Sequence, residues 1–353
     1  MARLRHRAAD DPDAARQAPL STGAAGARPE RSEELVSVVI PTLNEERSIS
    51  TCLDSVLAQS WREMEVLVVD GGSTDATCDL VAAYVAVDQR VRLVHNPRRT
   101  QPAAMNTALD HVRSPWMVRV DAHSTVPADY VERVMENLPT GDWGGVGGRK
   151  DGVATSVQGR AIAAALGSKF GVGNSTYHHG TEPQPVDHIP FGAYPVDVAR
   201  ELGGWDEAIS ANEDFEFDYR VRQSGRQLLF DPRLVIFWET RQTVADFFQQ
   251  YRRYGRGKAL VLRKHPNSAS PRHLIPAALV AALAAALVAA PVRPRWALAI
   301  VGPYVGGLLG ASAAVAPNLS VRESRRWLPM AFAAMHVGYG MGFWESLLGR
   351  RKP

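Results

Sequence analysis

Four short runs of aliphatic, mostly β-branched residues, each broken off by a polar cluster, constrain this chain more than anything else in it. They are Leu35 to Ile40, Val66 to Val69, Val91 to Val94 and Trp116 to Val120. Runs of that length between turn-forming residues read as buried strands. Helical patterns separate them. One is expected from about Glu45 to Gln59, with Asn44 as N-cap and Ile49, Leu53, Val56 and Leu57 as its apolar stripe. Others are expected from Asp75 to Val87 and from Gln101 to Val112. Strand and helix alternating at this spacing specify an α/β fold with a doubly wound, mostly parallel sheet. Three of the runs stop in P-T-L-N-E-E, D-G-G-S-T-D and D-A-H. Such a sheet brings these ends to one edge, where ligands bind in open α/β folds.

In the last of these ends, Asp121 and His123 fall on the same side of an extended chain and can share one divalent cation. Neither G-x-G-x-x-G nor G-x-x-x-x-G-K-[ST] occurs, which removes the dinucleotide and P-loop phosphate cradles. Carboxylates plus a cation remain as a way to hold a diphosphate.

The net charge of +3 conceals a split. Residues 1–271 carry a net −4 and residues 272–353 a net +7. A basic, otherwise very apolar tail suits an anionic membrane; a nucleic-acid-binding protein should instead carry its basic residues across the folded body. Cys52 and Cys78 make neither a disulfide framework nor a zinc site, which fits a reducing cytoplasm. Residues 1–34 lack apolar periodicity, and no apolar run follows the early arginines, so they read as a disordered leader and not a signal peptide.

Three stretches of the tail are free of Asp, Glu, Lys and Arg: Leu274 to Pro291, Trp296 to Ser320 and Trp327 to Trp344. At ~20 residues per crossing they are candidate transmembrane segments, although the first two also suit an interfacial hairpin. Trp296, Trp327 and Trp344 sit where interfacial anchors would. A membrane region of two or three hydrophobic helices is therefore expected over 273–348. The basic residues Arg252, Arg253, Arg256, Lys258, Arg263 and Lys264 precede it, facing a diphosphate, lipid headgroups or both, and place the body on the cytoplasmic side. An even number of crossings would keep Arg350, Arg351 and Lys352 on that side too.

Between sheet and tail, Gly144 to Gly148 reads as a glycine-rich strand or turn and Ala154 to Phe170 as helical. Gly171 to Pro190 reads as a polar connection whose His178, His179 and His188 match no metal-site spacing, and which are assigned structural or exposed roles. In Ala211 to Arg220 four carboxylates alternate with Phe215, Phe217 and Tyr219, so some of the acids must be buried, and a desolvated carboxylate is a candidate general base. Leu228 to Phe230 and Leu234 to Trp238 are expected as strands, and Thr243 as the cap of a helix from Val244 to Tyr254.

The stretches V-S-V-V-I-P-T-L-N-E-E, V-L-V-V-D-G-G-S-T-D, A-A-M-N-T-A-L and V-R-V-D-A-H-S resemble, in order and spacing, the successive motifs of family-2, GT-A-fold glycosyltransferases. The likeness runs from about Val36 to Tyr254. D-A-H-S, where that family usually has D-x-D, is similar to its exopolysaccharide branch of the succinoglycan type. The resemblance implies a GT-A domain over 35–265, with a nucleotide-binding half (35–123) and an acceptor half (124–265). It assigns base and ribose to Pro41, Thr42, Glu45 and Asp70, with Gly72, Ser73, Asn106 and Asp121 also on the nucleotide side. It places Mg2+ or Mn2+ at Asp121 and His123, the imidazole being either a ligand or a phosphate donor. The family's E-D motif falls on Glu213 and Asp214, with Asp214 the base. Gln250, Arg253 and Tyr254 match Q-x-x-R-W with Tyr for Trp, and join Phe191, Gly192, Trp205 and Asp206 on the acceptor and diphosphate side.

The implied activity is a metal-dependent, inverting transfer from a UDP- or GDP-sugar to a lipid-linked or polysaccharide acceptor at the cytoplasmic face of the inner cell membrane. Membrane lipids are expected partners, nucleic acid is not, and association with a second copy is compatible with the reading. Two neighbouring readings share the chemistry: a polyprenyl-phosphate sugar synthase, and a processive synthase. A third, from another class, is a non-catalytic nucleotide-sugar-binding subunit, against which the retained Asp70, Asp121 and Asp214 argue.

Overall fold

The computed structural model describes residues 34–349; the expected leader up to residue 33 and the last four residues lie outside them. In chain order the elements are β1 (Val36–Thr42), α1 (Ile49–Leu57), β2 (Met64–Asp70), α2 (Thr77–Val87), β3 (Val91–His95), α3 (Gln101–His111), β4 (Trp116–Arg119), β5 (Ser124–Thr125) and α4 (Tyr130–Asn137). Then come β6 (Trp143–Val153), α5 (Val157–Leu166), α6 (Lys169–Val172), β7 (Gln184–Val186), β8 (Ala193–Pro195), α7 (Val196–Glu201), α8 (Glu213–Gln223), β9 (Gln227–Glu239) and α9 (Val244–Lys264). The tail holds α10 (Pro271–Ala289), α11 (Pro294–Val315), α12 (Arg322–Arg325) and α13 (Leu328–Leu348).

One mixed sheet runs in the order β3-β2-β1-β4-β8-β6-β9-β5, with β7 also on β9. β3, β2, β1 and β4 are parallel, as the strand–helix alternation requires. β8 enters antiparallel between β4 and β6, and β6 pairs β9 in parallel. Side-chain alternation sends Val38, Ile40, Val66 and Val68 to a core under α1 and α4, and Val39, Leu67 and Val69 to a second core under α3 and α8. Both faces of the central strands are thus covered, which is why they read as unbroken apolar runs.

Several expected boundaries move, each for a local reason. α1 starts at Ile49 and not at Glu45. Asn44 does not cap it. Asn44 takes a φ of 57°, and its side-chain oxygen accepts the Thr74 N–H at 2.8 Å from the neighbouring loop. The two strands expected after residue 227 are one, β9, with residues 231–234 bulged out of register against β6. Pro232 sits in that bulge, where its missing N–H costs no ladder bond. Gly148 of β6 faces the bulge so closely that a Cβ would lie 1.8 Å from the Leu234 carbonyl. α9 continues ten residues past the expected Tyr254, to Lys264, and Thr243 caps it by accepting the Asp246 N–H at 3.1 Å.

Of the three expected membrane segments, two fall on helices long and apolar enough to cross a bilayer, Pro271–Ala289 and Pro294–Asn318, with only 17% of each apolar window buried. The third segment lies in α13, which packs along α9 and buries Leu328, Ala331, Phe332 and Met335. Gly342 lets the helices touch, since a Cβ there would lie 1.8 Å from the Arg252 carbonyl. Glu345 of α13 then pairs with both Arg252 and Arg256 at 2.6 Å.

Candidate functional site

The polar ends of the parallel strands meet the acidic start of α8 around a cavity of about 510 Å3. Asp121, two residues past β4, lines it. The Arg119 guanidinium donates to Asp121 Oδ1 at 2.8 Å and Oδ2 at 3.3 Å, and to Glu213 Oε1 at 3.4 Å. Gln101 adds an N–H to Asp121 Oδ1 at 3.2 Å. Burial pushes the Asp121 carboxyl up, but Arg119, with His123 and Lys150 behind it, holds the group below the usual carboxylate range. Arg119 therefore ties the strand-end carboxylate to the α8 carboxylates, and is itself buried between them.

On the β1–β2 side the loops are stitched together. The Asn44 N–H donates to Ser73 Oγ at 2.8 Å and the Glu45 N–H to Thr77 Oγ1 at 2.8 Å. Asp70 accepts the Gly72 and Ser73 N–H groups at 2.8 and 3.0 Å and the Ser73 hydroxyl at 2.5 Å. Burial raises the Asp70 carboxyl and these bonds more than reverse it. Gly72 carries a φ of 78°, the left-handed conformation that lets the turn fold back onto Asp70. The Glu45 carboxylate meets His123 Nδ1 at 3.3 Å. Burial raises the Glu45 carboxyl, but the bonds from His123 and Ser48 outweigh it and leave the group below its ordinary value.

At the start of α8 two adjacent carboxylates take opposite electrostatic roles. Glu213 is buried, and burial and the Asp214 charge beside it push its carboxyl up to about 7 against the pull of Arg119. Asp214 is more open. Burial raises it, but His188 and Arg119 hold it low and ionised. His188 lies between Asp214, Nε2 to Oδ2 at 3.9 Å, and the fully buried Asp218, Nδ1 to Oδ2 at 2.7 Å. Asp218 also accepts the Tyr194 hydroxyl at 2.7 Å and the Ile189 N–H at 2.8 Å. An anchored imidazole thus backs the half-buried carboxylate of Asp214.

Lys150 of β6 enters from the opposite wall, its ammonium 4.7 Å above the Phe191 ring and 3.9 Å above Trp238. Burial lowers its pKa to about 8, partly offset by Asp121 and Asp214. The remaining walls come from α6, α9, α10 and α13, with Gln250, Arg253, Tyr254, Lys258, Arg272 and Tyr339 among the lining residues.

Of the residues expected from sequence, Asp121, His123, Phe191, Glu213, Asp214, Gln250, Arg253 and Tyr254 line this one cavity. Pro41 and Thr42 end β1 and Asp70 ends β2, while Glu45, Gly72 and Ser73 lie in the stitched loops that follow, Glu45 touching the cavity-lining His123. Gly192 packs under the Tyr194 ring, where a Cβ would meet its hydroxyl at 2.5 Å. Three others sit elsewhere. Asn106 spends its amide on the Trp205 backbone, at 2.8 and 2.7 Å, and on Glu207. Trp205 stacks on Phe217 in the core at 4.2 Å between ring centroids. Asp206 pairs with Lys264 at 2.9 Å. Trp205 and Asp206 look functional in sequence because they follow the Gly203-Gly204 turn, and Asn106 because it falls in A-A-M-N-T-A-L, yet the partners named here lie within the protein. Sequence reasoning missed Arg119, Gln101, Lys150 and His188. For Arg119 a signal existed: a charged residue inside an apolar strand, on the same side as Asp121. For His188 there was none, because its partners lie 26 and 30 residues away and only the fold joins them.

Among the described residues no group of three or more His, Cys, Asp or Glu side chains forms a ready-made cation cage. Asp121 and His123 supply one carboxylate and one imidazole to the cavity. Such a pair fits a cation that takes the rest of its shell from water and phosphate oxygens, as Mg2+ and Mn2+ do.

Two family models match the chain: "Glycosyl transferase family 2" over residues 37–176 and "Glycosyl transferase family group 2" over 192–312. A relative, the succinoglycan biosynthesis protein ExoA of Rhizobium meliloti (strain 1021), is 31% identical over 91% of this chain and 98% of its own length. A dolichyl N-acetyl-α-D-glucosaminyl phosphate 3-β-D-2,3-diacetamido-2,3-dideoxy-β-D-glucuronosyltransferase of Methanococcus voltae is 26% identical over 65% of this chain and 74% of its own. Among solved structures, mannosyltransferase PcManGT from Pyrobaculum calidifontis, in complex with GDP-Man and Mn2+, superimposes with a TM-score of 0.58. That match has 18% identity and covers 90% of this chain and 88% of the other, so it speaks for the fold.

Proposed function

We propose that this chain, which belongs to glycosyl transferase family 2 and is therefore a transferase, moves a sugar from a nucleotide-diphosphate donor to a lipid-linked acceptor at the cytoplasmic face of the cell membrane. One observation carries the reading. The cavity that holds Asp121, Glu213 and Asp214 is walled on its far side by α10, a helix apolar and exposed enough to enter a membrane. A water-borne nucleotide sugar and a membrane-borne acceptor can reach the same carboxylates from opposite sides.

In this reading the stitched loops at Asp70 and Glu45 receive the nucleoside, and Asp121 with His123 would hold the divalent cation. That cation, when bound, neutralises the charge that builds on the departing diphosphate. Asp214, kept ionised by His188 and Arg119, takes the proton from the acceptor hydroxyl as it attacks the anomeric carbon. The sugar–phosphate bond breaks as the new glycosidic bond forms, which inverts the anomeric centre. Glu213 stays near Arg119 and leaves the role of base to its neighbour. The buried Asp218–His188–Asp214 chain favours a hydroxyl acceptor, since a phosphate acceptor needs no such base.

The test is nucleotide release and sugar transfer by detergent-purified protein over a panel of UDP- and GDP-sugars, with Mg2+, Mn2+ or chelator, and with membrane lipid extract as acceptor. Metal-stimulated transfer into the lipid fraction is expected. Asp214→Asn should lower the transfer rate by about 10²–10⁴, the usual contribution of a general base, while nucleotide still binds. Transfer by Asp214→Asn at the wild-type rate would remove Asp214 as the base, and transfer indifferent to chelator would remove the cation.

A further inference from the structure

The cavity has a second end that the chemistry at Asp121 and Asp214 leaves unused. Lys258, from the middle of α9, lines it and is only 4% exposed. No described carboxylate pairs with its ammonium, which sits 3.0 Å above the centre of the Phe215 ring. An aromatic face is a weak substitute for water or a counter-ion around a buried cation. The edge of the same ring meets His273 in the first turn of α10, with centroids 5.2 Å apart. Beside His273, Arg272 also lines the cavity, held by Asp187 and, at 3.3 Å, by Asn174. Burial works most strongly against the Lys258 charge; Asp214, beyond ion-pair distance, favours it, and Arg272 opposes it. Two cations held near each other with one of them unpaired gain from an anion placed between them.

The surroundings say what the anion is attached to. Next along α10 come Ile275 and Pro276, both on the cavity wall, and Ile275 is 64% exposed. The rest of α10 is apolar to its end, and the helix as a whole, Pro271–Ala289, is long and apolar enough to cross a bilayer. A molecule with its charged group at Lys258 would therefore lay any hydrocarbon chain along α10. A nucleotide does not fit that description, since its polar base and ribose would face the same apolar surface.

We propose that Lys258 and Arg272 form a binding site for the phosphate or diphosphate of a lipid-linked substrate, separate from the nucleotide end of the cavity. The site rests on the reading above for its role as acceptor anchor: it would fix the lipid headgroup so that the attached sugar extends toward Asp214. Lys258 supplies a point charge, and Arg272 a planar fork suited to phosphate oxygens.

The experiment measures binding, so its outcome does not depend on turnover. Full-length protein in detergent is saturated with UDP or GDP to fill the nucleotide end, then titrated with farnesyl diphosphate, farnesol or inorganic pyrophosphate. Farnesyl diphosphate should bind the nucleotide-saturated protein more tightly than either farnesol or pyrophosphate. Lys258→Met and Arg272→Gln should each weaken it by about tenfold, the loss of one charge-assisted contact, and should leave farnesol unchanged. Lys258→Met keeps the packing volume of the stem and decides the matter if Arg272→Gln, which also abandons Asp187, melts early. Displacement of farnesyl diphosphate by nucleotide would assign these cations to the donor and overturn the proposal. Equal binding of pyrophosphate, or wild-type affinity in a folded Lys258→Met, would overturn it as well. A protein that binds farnesyl diphosphate as described yet turns over no nucleotide sugar would sink the transferase mechanism and leave this site standing.

Discussion

At the scale of single residues, the candidate site gives like groups unlike surroundings. Glu213 and Asp214 are neighbours in sequence, yet the first turn of α8 buries one against Arg119 and leaves the other open beside His188. Glu213 is ionised at a cost. Its folded pKa of about 7 lies above its ordinary value of 4.5, so the wild-type protein loses stability as pH rises between those values. Glu213→Gln should therefore raise the melting temperature at pH 8 and have little effect at pH 4, and thermal melts at the two pH values would show it. His188 acts in the opposite direction, lowering the Asp214 carboxyl. His188→Ala should reduce transfer and move the acidic limb of the kcat/KM profile to higher pH, because Asp214 then protonates more readily. A merely structural histidine would lower the rate without moving the limb. Asp121 and Asp214 were legible in sequence because a carboxylate ending an apolar strand, or set among aromatic residues, is conspicuous. His188 was not, since a histidine in a polar connection carries no sign of its partners.

At the scale of elements, α9 joins the cavity to the helical tail. Its first turns bring Gln250, Arg253 and Tyr254 to the cavity, its middle brings Lys258, and its outer face receives α13. The apolar stretch from Trp327 to Trp344 looked like a third membrane segment because composition alone does not distinguish lipid from a packed helix as its surroundings. The glycines of α13 make the difference. Gly342 and Gly338 admit the α9 backbone so closely that a Cβ would lie 1.8 Å from the Arg252 carbonyl or 2.8 Å from that of Phe248. Gly342→Val should therefore cost about 1–3 kcal/mol through overpacking, read as a lower unfolding temperature. It should also depress transfer, since α13 residues Met335 and Tyr339 line the cavity that α9 shapes. An unchanged melting temperature would mean that the two helices are not packed this closely.

At the scale of the whole molecule, one sheet presents polar strand ends on one side of a cavity whose other side is built from helices α9, α10 and α13. The exposed apolar lengths of α10 and α11 predict that the protein stays with the membrane pellet under alkaline carbonate extraction. A variant with Leu287 and Leu298, both well exposed, changed to Glu should partition into the soluble fraction or aggregate. Release of the unmodified protein by carbonate would refute membrane insertion.

Residue pattern alone sets the parallel half of the sheet, the edge at which the candidate site gathers and the identity of most of its carboxylates. These rest on local signals: period-two burial, turn residues, and a charge where an apolar run stops. It also determined that the tail is apolar. Long-range packing threads β8 antiparallel between β4 and β6, turns Asn106 and Trp205 inward, pairs Asp206 with Lys264 at the surface, and lays α13 on α9. Only it could bring Arg119 to Glu213 and His188 to Asp214, because partners far apart in the chain acquire their charge states from burial that no local pattern records.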